Sequence, residues 1–64
     1  MKNAKLTSVK VLKELYNDFK IESINSNMTL QKLTNRSIHL YLSNEVFRNS
    51  VDTHKALTIS GSSL

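Results

Sequence analysis

The chain has no cysteine, no proline, no tryptophan and one glycine among its 64 residues, and each absence removes a class of solution. Without cysteine there is no disulfide, and a structural zinc site would need thiolates or several imidazoles where only His39 and His54 are present. No glycine-rich loop exists to cradle phosphates. No cysteine nucleophile, Ser/His/acid arrangement or metal-ligand cluster can be argued, so neither an enzyme nor a metal or cofactor is expected. Unbroken apolar runs reach only two or three residues, against the roughly 20 that a spanning helix needs. The expectation is a cytoplasmic protein with no membrane or secretory segment. A chain this short buries only about 60% of the surface its unfolded form exposes. Its own core is marginal, and the staple left to it is a second copy of itself.

Acid is also missing from the first thirteen residues, which carry Lys2, Lys5, Lys10 and Lys13. The remainder balances Lys20, Lys32, Arg36, Arg48 and Lys55 against Glu14, Asp18, Glu22, Glu45 and Asp52, so the whole formal net charge of +4 sits in the N-terminal fifth. Such asymmetry points to an anionic partner, nucleic acid or a membrane surface, met by one end of the molecule.

In Lys5-Leu6-Thr7-Ser8-Val9-Lys10-Val11, Thr7, Val9 and Val11 share one parity and Leu6, Ser8 and Lys10 the other. Alternation with β-branched residues predicts a half-buried strand, its Thr/Val/Val face inward. A lone strand leaves backbone donors and acceptors unpaired, so it calls for the same segment of a second subunit, antiparallel across a two-fold axis. From Leu12 the period becomes helical, with Leu12, Leu15, Tyr16 and Phe19 on one side and Lys13, Glu14, Asn17 and Asp18 on the other. This helix is expected to be short. Its stripe loses register near Ile21 and Ile24, and Ser23-Ile24-Asn25-Ser26-Asn27 is rich in turn formers, with Asn25 or Asn27 as the left-handed cap.

Thr29 makes an N-cap for a stronger helix over 30–42, with Leu30, Leu33, Thr34, Ser37, Ile38 and Tyr41 as its inner stripe. Lys32 at the third helical position precludes a full capping box. Ser43 or Asn44 caps a third short helix with Glu45 in its first turn and Val46, Phe47, Ser50 and Val51 on its apolar side. Lys55 to Leu64 reads as a flexible tail, although Leu57 and Ile59 alternate with Thr58 and Ser60 and could add as a strand to a partner. The division is thus 1–42, 43–52 for the added helix, and 53–64 for the tail.

This order resembles the ribbon-helix-helix family of Arc, MetJ and CopG type. The residues carrying the resemblance are Leu6 to Val11, the Leu15/Phe19 pair, and the run Thr29 to Tyr41, with Val9 and Thr29 spaced 20 residues apart. It covers about residues 5–42, and departs from the family in lacking the turn glycine and in the apolar Ile21, Ile24 and Met28. The resemblance implies a mainly α fold with one short β-strand. It further implies an intertwined homodimer whose two-stranded antiparallel ribbon lies in the DNA major groove.

On that basis Leu6, Ser8 and Lys10 are base-contact candidates. Lysine can donate to guanine O6 and N7, serine to several base edges, and leucine can touch a thymine methyl group. The competing reading is a solvated strand face, or, for Leu6, a cover over the ribbon end. Lys2, Lys5 and Lys13 are candidates for phosphate. So is the second-helix N-terminus, Thr29, Leu30, Gln31 and Lys32, where free N–H groups and the helix dipole favour an anion. Val9, Val11, Leu15, Phe19, Leu33, Ser37, Ile38 and Tyr41 are assigned to the dimer core. His39 reads as a surface or interface imidazole. Arg36 suits the mate's helix or a carboxylate better than DNA, and Glu14, Asp18 and Glu22 form a solvated carboxylate row rather than an acid/base pair.

The function expected is sequence-specific binding of double-stranded DNA by a transcriptional repressor resembling the compact ones of phages and plasmids, acting as a homodimer or a dimer of dimers on DNA. The alternative is an antitoxin or phage-encoded modulator whose C-terminal segment, residues 43–64, binds a protein partner.

Overall fold

The computed structural model describes residues 3–57, which form three helices: α1 (Lys13–Ser26), α2 (Leu30–Ser43) and α3 (Glu45–Asp52). The strand expected over residues 5–11 is absent. No strand occurs among the described residues, and this overturns the ribbon-helix-helix fold, its intersubunit ribbon and the intertwined dimer built on it. Alternation specifies which side chains would share a face, but a strand exists only through ladder hydrogen bonds, and among the described residues no second segment forms a ladder with it. Residues 4–12 instead form an arm without regular structure. Val9 and Val11, expected inward, are exposed, Val9 by 74%.

The first helix outruns its apolar stripe. Ser23 lies in the expected turn, yet its hydroxyl donates to the Lys20 carbonyl at 2.9 Å, which satisfies the side chain inside the helix instead of competing with it. The left-handed residue comes at Asn27, with φ 53° and ψ 28°, where a short side-chain amide tolerates the conformation a β-branched residue resists. Thr29 follows as the cap of α2, its Oγ1 accepting the Lys32 N–H at 3.0 Å.

A single residue, Asn44, separates α2 from α3 and serves both. Its N–H donates to the Leu40 carbonyl at 2.8 Å, closing α2, while its Oδ1 accepts the Phe47 N–H at 3.0 Å, opening α3. These two helices pack against one another, whereas α1 packs against neither. Consequently no described residue is buried. Of the side chains assigned to a dimer core, Phe19 and Ser37 are half-buried within the single chain, and Val9, Val11, Leu15, Leu33, Ile38 and Tyr41 are exposed. Apolar residues also lie on more than one side of α1, Leu15 and Phe19 on one and Ile21 on the other. Between α1 and the start of α2 lies a groove of about 540 Å³, lined chiefly by Tyr16, Phe19, Ile24, Met28 and Leu30.

Candidate nucleic-acid interface

The basic arm leads directly into α1. Lys5 and Lys10 are exposed along it, and Lys13 is the first residue of the helix. None of the three has an ion-pair or hydrogen-bond partner among the described residues. The helix start strengthens the local positive potential. Leu12, the N-cap residue, has no side-chain acceptor to offer, so the first-turn N–H groups and the positive end of the dipole stand beside Lys10 and Lys13, with Glu14 alone offsetting them.

Leu6, Ser8 and Lys10 therefore lie on this arm rather than on one face of a strand, and Leu6 is 99% exposed. Lys2 falls outside the described residues, as does Ile59 of the tail.

The other candidate phosphate contacts lie at the far end of α1. Fourteen residues of helix separate the two sites by about 21 Å, a length over which duplex DNA carries roughly twelve charges. At this second site the groups are already engaged with the chain. The Thr29 hydroxyl oxygen is occupied by the Lys32 N–H, and the Lys32 ammonium turns back to donate to the Asn27 carbonyl at 3.4 Å. Lys32 thus clamps the left-handed turn. Gln31 accepts the Asn35 side-chain amide on its carbonyl at 2.8 Å. The structure does not bring the arm and this helix start together into one cluster; it sets them at opposite ends of α1.

Sequence reasoning missed the polar lock between α2 and α3. Tyr41 donates its phenolic hydrogen to Asp52 Oδ1 at 2.7 Å, and Arg48 Nη1 donates to the Tyr41 carbonyl at 3.4 Å. The signal was present in the positions of Tyr41 on the inner stripe of α2 and Asp52 at the end of α3, but the pairing depends on the one-residue link at Asn44. The hydrogen bond to Asp52, and next the negative charge of that carboxylate, raise the Tyr41 phenol above its ordinary value of 10.0, while Arg48 acts in the opposite direction. The neutral phenol is the form the fold favours. Its contribution is therefore intact below pH 10.0 and is lost as pH rises through the raised value. Absorbance titration in a Tyr16→Phe background is expected to place Tyr41 above 10.0, and Asp52→Asn to return it toward that value. A Tyr41 that titrates identically with and without Asp52 would remove the lock.

Lys20 sits over the Tyr16 ring at 5.7 Å from its centroid, a cation–π contact on the same helix. Among the described residues no group of three or more His, Cys, Asp or Glu side chains is placed to hold a metal ion, and no helix is long and apolar enough to cross a membrane. Comparisons with protein-family models, curated proteins and solved structures find no match for this chain.

Proposed function

We propose that this chain binds double-stranded DNA and acts as a transcriptional regulator, with the arm ahead of α1 as its contacting element. One observation carries the reading: the entire net charge lies in residues 1–13, and the described lysines among them have no partner among the described residues. Unpaired lysines on an irregular arm can follow a phosphate backbone or enter a groove, as basic arms of DNA-binding domains do. Lys2, Lys5 and Lys13 serve as phosphate contacts, and Leu6, Ser8 and Lys10 as the groups that reach base edges.

Mobility shift with duplex DNA across a salt series tests this. With about six to eight phosphates contacted by two copies, log K falls against log salt with a slope of about −5 to −7. Absence of affinity for every duplex, or affinity indifferent to salt, overturns the reading. Selection from random duplexes then tests specificity. Lys10→Ala is expected to relax the selected sequence at a cost of about 1–3 kcal/mol; an unchanged preference would assign the base contacts elsewhere.

A second reading, binding of a protein partner through the C-terminal segment, is favoured by Val46, which α3 leaves 77% exposed. Removal of residues 55–64 together with Val46→Ser distinguishes the two: DNA binding survives and a co-purifying protein is lost only under the second.

A further inference from the structure

We propose that the apolar surface of α1, with the groove it shares with the start of α2, is the contact surface between two copies of this chain. The inference is independent of DNA binding and rests on area, shape and charge.

A folded chain of 7.3 kDa exposes about 4,200 Å² by the surface scaling of monomeric proteins. This one exposes 6159 Å². Its radius of gyration is 13.4 Å, where a compact chain of this length has about 11 Å. Both measures describe a chain folded locally but not closed over a core, in keeping with the absence of any buried described residue. The surplus of about 2,000 Å² per copy includes the irregular arm as well as the helices, so a pair that buried only the helical share, about half of it, would reach the lower end of the range of about 2,000–5,000 Å² buried by obligate homodimers.

Part of the surplus lies on α1, the helix its own chain leaves unpacked, where Ile21 and Ile24 are 66% and 77% exposed. Leu15, Tyr16, Phe19, Ile21 and Ile24 are the apolar residues of α1, and apolar side chains of a helix call for a surface to cover them. With neither cysteine in the sequence nor a metal cluster among the described residues, association supplies these residues with such a surface.

Charge points to a second copy as the occupant. Residues 14–64 carry five basic and five acidic side chains, so two helical bodies meet without net repulsion while the basic arms stay outside. Arg36 on α2 and the Glu14, Asp18 and Glu22 row on α1 have no partner among the described residues. Each copy thus offers the other both signs, and a two-fold contact would form each such pairing twice.

The test is analytical ultracentrifugation of the full chain without DNA, with thermal melts over a hundredfold range of protein concentration. The expected species has twice the mass of 7.3 kDa, and the melting temperature rises with concentration. Ile24→Lys probes the face. Ile24 lines the groove and is 77% exposed in the single chain, and a lysine in the last turn of α1 suits the helix dipole, so the change is innocuous unless another molecule covers it. It is expected to weaken self-association by one to two orders of magnitude, on the order of the penalty for burying a charge. Asn49→Lys, with the same added charge in the last turn of α3 and away from the groove, is expected to change it by no more than about threefold.

Four results overturn the proposal. They are a folded monomer whose melting ignores concentration, an assembly larger than a dimer, an Ile24→Lys variant that associates like the parent, and a chain that becomes helical only when duplex DNA is added. The mobility shift is a separate measurement, so failure of the dimer and failure of DNA binding are told apart.

Discussion

Alanine at Lys5, Lys10 and Lys13 together is expected to lower affinity for duplex DNA by at least about a thousandfold at 0.15 M salt. Each neutralised phosphate contributes about 0.9 to the salt slope, which at that concentration is a factor of about five, so losing Lys5 and Lys13 from two copies removes four such contacts and about 600-fold, and Lys10 adds the loss of its base contact. The slope falls by about one for each lysine removed from a phosphate. Loss of helix does not confound the result, because these side chains make no hydrogen bond or ion pair among the described residues. Circular dichroism is expected to be unchanged. The informative control removes positive charge elsewhere: Lys20 is held over Tyr16, and Lys55 lies beyond α3. Lys20→Ala with Lys55→Ala is expected to cost less than tenfold, the residual long-range effect of net charge. Equal losses from both sets would mean that total charge, and not the arm, governs binding. Unchanged affinity in the arm variant would exclude the arm altogether.

At the turn between α1 and α2, Asn27→Val is expected to cost about 1–2 kcal/mol of stability, while Asn27→Gly is neutral within a few tenths. Asn27 holds φ 53°, a conformation in which a β-branched side chain crowds its own carbonyl. Its carbonyl also receives the Lys32 ammonium at 3.4 Å, so the turn, its clamp and the Thr29 cap form one local unit. Urea unfolding of the two variants measures the difference. A valine variant as stable as the parent would show that the chain can leave the left-handed conformation at no cost.

What could be read from the residues is what depends on near neighbours. Thr29, Asn27 and Asn44 act within three or four positions of themselves, and a capping hydroxyl or amide needs nothing from the rest of the fold. The two longer helices follow in outline for the same reason, with α1 extended because Ser23 folds its hydroxyl back on Lys20. The strand failed because its existence rests on a pairing partner, about which alternation in residues 5–11 carries no information. Of the candidate site, the isolation of the basic charge at one end was legible by simple counting. The engagement of Lys32 with Asn27 was not, since a lysine at a helix start can face outward or return to the preceding turn with nearly the same sequence pattern. The Tyr41–Asp52 lock was hidden because eleven positions and a one-residue link intervene.

Contacts among the described residues are mainly short-range, and the Tyr41–Asp52 bond spans only eleven positions. Chains built of such local contacts form quickly, helices of this length relaxing within about a microsecond. Little in one chain's assembly is then slow enough to limit it. If α1 gains its cover from a second copy, the encounter of two partly helical chains becomes the slow event. Refolding would accelerate in proportion to protein concentration, and the lifetime of the folded state would be set by how long two copies stay together.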